Sequence, residues 1–394
     1  MATSRPIVIA GAGIGGLTAA LALAAKGFRI VVLEKAERLQ EAGAGLQLSP
    51  NASRVLIDLG LLPRLAPHLV MPGAVSVMSV RSGGEVARLP LGAADADAPY
   101  WLIHRADLQA ALLAEVAATP GIDLRLGSPL RDFEVDSTGV AVGSGDGGEP
   151  IRAAALIGAD GVWSAVRQRL FPAIRADFSG LIAWRGTVDI RQLPDGLAQG
   201  HVQLWMGPKA HLVAYPMSSG TRINVVAILP GDWHQPGWSA PGDAGEIRHH
   251  FAASRWPGNA RQMIGAIEDW RRWALFTLPD GGAWQQGPVA LLGDAAHAML
   301  PFAAQGAGMA IEDAAVLAGC CGDVIDDPAQ MAAGLARYAA LRHARVARVQ
   351  RAARQSGKIY HLQGPMALAR DLAMKALGAS LLQKRQAWIY DWRP

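Results

Sequence analysis

The chain has 394 residues, of which 51% are hydrophobic and 18% are charged, and its formal net charge is +4 at pH 7. This length exceeds that of one usual domain, so we expect two domains or one domain with a large insertion. The composition excludes a disordered chain, and the net charge is too small to indicate a nucleic-acid partner.

The sequence contains no pattern for export or for a membrane span. No apolar run reaches the roughly 18 residues that a spanning helix needs. The first strand pattern begins at residue 6, which leaves no room for a signal peptide. The only cysteines, Cys320 and Cys321, are adjacent and match no zinc spacing. We therefore expect a cytoplasmic protein without a structural metal.

The first 34 residues carry a dinucleotide-binding pattern. An apolar strand pattern at residues 6–10 leads into a glycine loop, a helix pattern follows at residues 17–25, and a second strand at residues 28–33 ends at Glu34. Glycines permit a sharp turn and a close approach of backbone N–H groups to a pyrophosphate, and the helix N-terminus favours its negative charge. An acid after the second strand can accept hydrogen bonds from a ribose. This order makes a nucleotide site a better interpretation than a chance glycine cluster; the loop glycines are Gly11, Gly13, Gly15 and Gly16.

Two later strand patterns also end in polar turns. Residues 154–157 lead into Asp160-Gly161, and residues 289–292 lead into Gly293-Asp294. Parallel strands present ligand-binding groups at their carboxyl edge, so these turns are expected to line the same site. The segment from Pro301 to Gly308 then begins another helix, whose glycine-rich start could accept an anion or a polarised carbonyl.

Other patterns organise the rest of the chain. Ser49 is a plausible N-cap for a helix that ends near residue 59, and the preceding loop, residues 42–45, permits a close backbone approach. Residues 74–91 form a hairpin pattern, Arg105 precedes a helix at residues 108–118, and three short strand patterns occupy residues 122–157. Residues 176–278 predict a mostly antiparallel sheet, interrupted by one long helix near residues 243–253.

A long basic helix is predicted at residues 329–360. A spacing of three residues winds its arginines around the helix, which favours a solvated edge or ion pairs over a nucleic-acid face. The aromatic segment from Trp388 to Trp392 is expected to dock on the protein. The arginines are Arg342, Arg345, Arg348, Arg351 and Arg354.

Together these motifs resemble the single-component FAD-dependent aromatic hydroxylases, the group A flavoprotein monooxygenases such as 3-hydroxybenzoate 6-hydroxylase, salicylate hydroxylase and 6-hydroxynicotinate 3-monooxygenase. The resemblance rests on the Gly11 to Glu34 unit, on Asp160-Gly161 with Arg167, and on Gly293-Asp294 with residues 301–308, in that order. It implies an α/β fold: an FAD-binding Rossmann-like (GR2-type) domain, an inserted, mostly antiparallel β-sheet substrate domain and a C-terminal helical segment. The implied limits are 1–73, 100–175 and 279–328 for the FAD-binding domain, 74–99 and 176–278 for the substrate domain, and 329–394 for the C-terminal helices.

The resemblance also implies which residues hold FAD. The loop glycines and Glu34 with Lys35 hold the ADP half, and Leu130 contacts the adenine end. Arg105 and Asp294 reach the ribityl and pyrophosphate groups, and the Asp160 turn serves FAD and transient NAD(P)H together. Pro301 and residues 306–308 line the isoalloxazine. The full implied set is Gly11, Gly13, Ile14, Gly15, Gly16, Glu34, Lys35, Gln47, Arg105, Leu130, Asp160, Asp294, Pro301, Gly306, Ala307 and Gly308.

The chemistry implied is hydroxylation of a small aromatic acid, hydroxybenzoate- or hydroxynicotinate-like. NADH or NADPH reduces FAD, O2 adds to give a C4a-hydroperoxide, and the electron-rich ring attacks it. A base that removes the phenol proton makes the ring more nucleophilic, and water must be kept out. His211 and Tyr215, four residues apart on one strand, are the catalytic candidates, although a purely structural histidine remains an alternative.

Several points stay open. Gln47 stands where the nicotinate enzymes have a histidine, which weakens the case for a pyridine substrate, and Gln305 and His297 are lesser candidates, His297 being more plausibly structural. The alternatives to a monooxygenase are a flavin-dependent reductase or oxidase on the same scaffold and a non-catalytic flavin-binding protein. A membrane-associated quinone hydroxylase lacks support from any amphipathic terminal segment. The protein is expected to be a monomer or homodimer.

Overall fold

A computed structural model describes residues 5–39, 45–91, 98–145, 147–194, 197, 200–235, 237–252, 256–322 and 327–394. Its strands are β1 (Ile7–Ala10), β2 (Ile30–Leu33), β3 (Gly45–Leu48), β4 (Ala74–Ser79), β5 (Glu85–Pro90), β6 (Trp101–His104), β7 (Ile122–Arg125), β8 (Leu130–Asp136), β9 (Gly139–Ser144), β10 (Ile151–Ala153), β11 (Ala155–Gly158), β12 (Asp177–Asp189), β13 (His201–Gly207), β14 (Ala210–Met217), β15 (Arg222–Pro230), β16 (Ser239–Gly242), β17 (Trp270–Thr277), β18 (Gln285–Gln286) and β19 (Val289–Leu291). Its helices are α1 (Ile14–Ala24), α2 (Pro50–Asp58), α3 (Leu62–Leu65), α4 (Arg105–Ala118), α5 (Ala165–Leu170), α6 (Ala244–His250), α7 (Gly258–Gly265), α8 (Asp294–His297), α9 (Gly306–Cys321), α10 (Pro328–Tyr360) and α11 (Gly364–Tyr390), which is kinked at Gly378.

A six-stranded sheet in the order β18-β19-β11-β1-β2-β7 carries the nucleotide-binding pattern. Its strands are parallel except for the edge strand β18. Both faces of β1 are buried: Ile7 and Ile9 pack in one apolar cluster with residues of α1, α4 and α9, whereas Val8 and Ala10 pack on the opposite side. Burial on both faces explains the uninterrupted apolar run. The strand–loop–helix–strand unit is confirmed, with β2 beginning at Ile30 instead of residue 28.

The segment 122–157 holds more strands than the three short patterns indicated. β7 joins the six-stranded sheet, whereas β8, β9 and β10 form a separate antiparallel sheet in the order β10-β9-β8. Strand β10 then passes after a single residue into β11, which returns to the parallel sheet. Because β10 and β11 are almost continuous in sequence, the change of sheet leaves no turn signal between them.

An eight-stranded sheet in the order β16-β17-β12-β15-β14-β13-β4-β5 forms the second large unit. It is antiparallel except for the β13–β4 pair, so the predicted antiparallel sheet is confirmed, and the predicted hairpin β4–β5 joins its edge. Its outer face packs Trp184 and Trp205 together with residues of α6 and α7. The helix predicted near residues 243–253 is present as α6, but it is shorter than predicted and ends at His250. A second helix, α7, was missed; Pro257 is its N-cap and has extended backbone.

The C-terminal helices cover both sheets. The predicted aromatic docking is confirmed: the guanidinium carbon of Arg348 lies 3.8 Å from the ring centre of Trp388, and Arg345 donates to the Trp388 carbonyl at 3.0 Å. Of the two alternatives predicted for the periodic arginines, an ion pair is found at Arg342, which is only 1% exposed and pairs with Glu312. Cys320 and Cys321, at the end of α9, are buried free thiols. No helix among the described residues is both long enough and apolar enough to span a bilayer.

Candidate active site

The four loop glycines have different structural roles. Gly11 has a φ of +105°, and a β-carbon on it would lie 2.5 Å from the Ala159 carbonyl oxygen. A β-carbon on Gly16 would overlap the Gly11 carbonyl, and one on Gly15 would lie 2.7 Å from the side chain of Leu292. Gly13, the N-cap of α1, has no atom within 4 Å of its β-carbon position. Three glycines therefore allow close packing, and Gly13 opens onto the space in front of the helix N-terminus.

Glu34 holds this loop in place. Its Oε2 accepts the Ala12 N–H at 2.8 Å and its Oε1 accepts the Ala36 N–H at 2.9 Å. The Glu34 carbonyl accepts the Ser128 N–H at 2.8 Å, which brings the start of β8, at Leu130, to this end of the sheet. Each carboxylate oxygen keeps a second lone pair, so the ribose contact of Glu34 stays a prediction, as do the contacts of Lys35 and Leu130.

The second and third motifs are tied together by Arg167. Its guanidinium donates to the Val162 carbonyl at 2.5 Å and to the Ala295 carbonyl at 2.8 Å. Asp160 caps α5 by accepting the Ala165 N–H at Oδ2 (2.7 Å). Its Oδ1 is buried with no hydrogen-bond partner in the described part of the chain. Asp294 is exposed at the first turn of α8. An orphaned carboxylate oxygen beside an exposed acid suits a polar ligand that lies along this edge.

The glycine-rich start of α9 lies against α2. Gln305 occupies its N-cap position and donates to the Ser49 hydroxyl at 2.8 Å, while Asn51 donates to Gln305 Oε1 at 3.0 Å. Ser49 is the N-cap residue of α2 as predicted, but its hydroxyl donates to Asn51 Oδ1 instead of capping the helix. A β-carbon on Gly306 would meet nothing within 4 Å, so the helix start is open, next to Ala307 and Gly308.

A buried charge network lies one helical turn further along α9. Glu312 accepts from Arg342 and from Arg345, each at 2.6 Å. Asp313 accepts from Arg342 and from the His297 ring, also at 2.6 Å. Burial opposes ionisation of Asp313, but the charges and hydrogen bonds of His297 and Arg342 outweigh it and lower its pKa to about 2. His297 is 1% exposed and held in this network, and apart from the periodic arginines no sequence pattern indicates the pairing.

His211 and Tyr215 lie on the inner face of the eight-stranded sheet, opposite α6 and α7. The Nδ1 of His211 lies 2.9 Å from Nε2 of His361, and the His211 ring centre is 5.1 Å from that of Phe302. Burial, and then the charge of His361, lowers the pKa of His211 to about 3. Tyr215 is 3% exposed, and burial raises the pKa of its phenol. Four strand residues separate the two side chains by about 13 Å, so they line one face without touching.

Arg185 lies on the same face and was missed from the sequence. It pairs with Val226 across β12 and β15, and Val226 pairs with Val213, which lies between His211 and Tyr215 on β14. Paired residues of an antiparallel sheet share a face. The guanidinium carbon lies 5.3 Å from the ring centre of Trp273, and its charge partly offsets the rise in the pKa of Tyr215. Alternation along β12 predicts that Arg185 lies on one face of the strand. Only the strand register shows that this face also carries His211 and Tyr215.

Gln47 and Arg105 lie on neighbouring elements, because β3 pairs with β6 and β6 leads directly into α4. Gln47 lies on β3 and accepts the Tyr100 hydroxyl at 2.8 Å. Arg105 is the first residue of α4 and does not precede it, because His104 is the N-cap and accepts the Ala106 N–H at 3.2 Å. Residues 42–44 of the predicted glycine-rich loop lie outside the described part of the chain. The next residue, Gly45, donates its N–H to Asn224 Oδ1 at 3.0 Å.

These features fit a bound dinucleotide. Two glycine-rich helix starts face open space, a carboxylate closes the first strand–helix loop, and an unpartnered carboxylate oxygen lies at the sheet edge. Residues 4–353 match a protein family described as an FAD binding domain. The chain belongs to this FAD-binding family.

Two relatives match this chain over nearly its full length. It is 37% identical to 3-amino-4-hydroxybenzoate 2-monooxygenase of Streptomyces platensis over 398 residues, which cover 100% of this chain and 97% of the relative. It is 35% identical to 3-hydroxybenzoate 6-hydroxylase of Polaromonas naphthalenivorans, with 98% and 96% of the two chains covered.

Solved structures agree with this placement. A salicylate hydroxylase substrate complex aligns with a TM-score of 0.83 at 26% identity, covering 99% of this chain and 96% of the other. A variant of HpxO from Klebsiella pneumoniae complexed with FAD aligns with a TM-score of 0.82 at 25% identity, covering 98% of each chain. The chain is therefore an FAD-dependent monooxygenase with the mixed α/β fold of these hydroxylases.

Proposed function

We propose that this monooxygenase hydroxylates a small aromatic acid that carries a phenolic hydroxyl, with NADH or NADPH as reductant and O2 as the oxygen source. One observation carries the proposal: His211, Arg185 and Tyr215 share the inner face of the eight-stranded sheet. The same face packs against Phe302, just before the open start of α9.

Each of the three side chains has a suitable chemical role. His211 is neutral at neutral pH because its pKa is low, so it has a lone pair available for a phenol proton. Arg185 offers a forked donor for a carboxylate, and the raised pKa of Tyr215 keeps its hydroxyl protonated and able to donate. FAD, when bound by the residues of the three motifs, supplies the chemistry with O2. Phe302, Val213 and Val226 exclude water from the reacting ring.

The relatives support a benzoate more than a pyridine substrate. Their names specify 3-hydroxybenzoate and 3-amino-4-hydroxybenzoate, both of which combine a phenol with a carboxylate. The amide oxygen of Gln47 already accepts a hydrogen bond from the Tyr100 hydroxyl, so this residue has a partner within the protein. A hydroxynicotinate is the second choice.

The decisive experiment is a substrate panel with the purified FAD-loaded enzyme. We expect a hydroxybenzoate to stimulate NAD(P)H oxidation and to give a product that is heavier by one oxygen atom. Matched benzoates without the hydroxyl and phenols without the carboxylate serve as controls. Stimulated oxidation that yields only H2O2 with every hydroxybenzoate and hydroxynicotinate would contradict the proposal.

We further propose the organisation expected from the sequence: segments 1–73, 100–175 and 279–328 as the FAD-binding domain, 74–99 and 176–278 as the substrate domain, and 329–394 as C-terminal helices. The separate six- and eight-stranded sheets support this division. A cytoplasmic monomer or homodimer is proposed with it; the buried free thiols fit a reducing compartment. Limited proteolysis tests the domain division, and light scattering tests the oligomeric state.

A further inference from the structure

The imidazoles of His211, which is buried, and His361, which is partly exposed, form a pair. Their ring centres are 5.1 Å apart, and Nδ1 of His211 lies within hydrogen-bond distance of Nε2 of His361, at 2.9 Å. In the described part of the chain nothing else hydrogen-bonds either ring. We propose that His361 is a proton relay, which carries the proton that His211 takes from the substrate hydroxyl out to solvent. This inference rests on the proposed function and deepens it.

The backbone around His361 holds the pair together. His361 directly follows α10, its N–H donates to the Gly357 carbonyl at 3.2 Å, and its own carbonyl accepts the Lys209 N–H at 3.4 Å. Lys209 belongs to the turn before β14, two residues from His211. The ring of Phe302 packs against the bare backbone of Gly357 and lies beside both imidazoles, 5.1 Å and 5.8 Å between ring centres. The contact therefore joins the sheet, α10 and the loop before α9.

The transfer balances as a chain of three proton shifts. With a proton on Nδ1, His211 donates to Nε2 of His361 and keeps Nε2 free for the substrate. The substrate O–H bond breaks and its proton goes to His211 Nε2, while the Nδ1 proton of His211 passes to His361 Nε2. His361 then releases its own Nδ1 proton to water, since its side chain is partly exposed. The substrate becomes a phenolate, and both imidazoles end neutral.

The electrostatic surroundings support passing the proton on instead of storing it. Burial lowers the pKa of His361 to about 4, and the pKa of His211 is lower still, so neither ring retains a positive charge. Ionisable groups on the elements around the pair include Lys209, Tyr215, Lys358, Tyr360 and the Arg370–Asp371 ion pair, in which Arg370 donates to the last carbonyls of α10. In the described residues no carboxylate is paired with either ring, whereas His297 lies 2.6 Å from Asp313.

The test uses the FAD-loaded enzyme mixed with 3-hydroxybenzoate in weakly buffered solution that contains a pH indicator. We expect wild type to release one proton per bound phenol, and His361→Gln to release it about 100-fold more slowly with little change in binding. The glutamine amide oxygen reaches the position of His361 Nε2 and accepts the His211 Nδ1–H bond, so the position of the base is kept. The exposed His249→Gln is the matched control. Unchanged proton release in His361→Gln overturns the relay.

A second measurement separates the relay from the choice of substrate. In ¹⁵N-histidine NMR of the same holoenzyme without substrate, the relay requires His211 protonated at Nδ1, with a proton signal that disappears in His361→Ala, which removes the acceptor. Protonation of His211 at Nε2 instead overturns it. If 3-hydroxybenzoate fails to bind, the hydroxybenzoate that stimulates NAD(P)H oxidation in the substrate panel replaces it; if none does, the proposed substrate class is wrong, and the NMR result still decides whether the relay exists. Imidazole in solution should restore fast proton release to His361→Ala, which a merely structural role would not allow.

Discussion

The carboxylate of Glu34 illustrates how one side chain shapes a cofactor site before any cofactor binds. It accepts two backbone N–H groups, one of which, that of Ala12, belongs to the glycine loop. We expect Glu34→Ala to weaken FAD retention, because it removes the predicted ribose acceptor and leaves the Ala12 N–H unpaired. The measurement is the flavin-to-protein ratio after dilution and gel filtration. Glu37→Ala, a change at a neighbouring acid outside this loop, is the control, and full FAD retention in Glu34→Ala would count against the assignment.

Arg185 is the residue whose removal should change substrate choice. We expect Arg185→Met to raise KM for a hydroxybenzoate about 10- to 100-fold, which corresponds to the loss of a charged hydrogen bond of about 1.5–3 kcal/mol. A phenol that lacks the carboxylate should show little change, because its binding never used the guanidinium. Steady-state kinetics with both compounds give the comparison. Arg222→Met, at the far end of β15, is the control, and an equal loss for the two compounds would refute the role.

At the scale of elements, the sequence predicted the motifs whose residues follow one another along the chain. The glycine loop, its helix and Glu34 follow one another along the chain, so their order alone identified the nucleotide site. Arg185, His361 and the Glu312–Arg342 pair could not be found in this way, since their partners are distant in sequence: 150 residues separate His211 from His361. Strand register and helix packing create those contacts. The prediction of one long helix near residues 243–253 was only partly right, because α6 ends at His250 and a second helix, α7, begins after Pro257.

The junction between α10 and the loop before α9 depends on one glycine. A β-carbon on Gly357 would overlap the ring of Phe302. We expect Gly357→Ala to destabilise the protein by about 1–3 kcal/mol and to raise H2O2 release per NAD(P)H oxidised, because Phe302 must move away from His211. Urea unfolding and a peroxide assay measure the two effects.

The matched control for this prediction is Gly319→Ala. Gly319 also lies within a helix, but its β-carbon position is open and the residue is exposed. Alanine there should be neutral or should stabilise by up to about 1 kcal/mol. If both variants behave alike, close packing at Gly357 is not what matters.

For the whole molecule, the buried charge network joins α2, α9 and α10 to the C-terminal segment. Asp313 has a folded-state pKa of about 2, below its ordinary value of 3.8. Its ionised form therefore stabilises the fold above about pH 4, and this contribution is lost as the pH falls towards 2. We expect Asp313→Asn to lower the free energy of unfolding at pH 7 and the difference from wild type to shrink between pH 4 and pH 2.

Unfolding by urea at several pH values measures this difference. Asp58→Asn, which changes an exposed carboxylate on α2, should leave stability nearly unchanged at every pH. A constant gap between Asp313→Asn and wild type down to pH 2 would show that the ionisation of Asp313 does not contribute as described.

The two buried thiols at the end of α9 have a consequence for the lifetime of the enzyme. A monooxygenase that turns over without transferring oxygen releases H2O2 next to its own side chains. A cysteine reacts readily with H2O2 only as the thiolate, not as the protonated thiol. Burial and the neighbouring Cys320 raise the pKa of Cys321 to about 12, so this thiol stays protonated. Cys320 is also buried, away from peroxide in solution, so uncoupled turnover can proceed without damaging the chain at its only cysteines. Intact mass spectrometry after many uncoupled turnovers should find both unoxidised, and an added mass of one or more oxygens on either cysteine would disprove this protection.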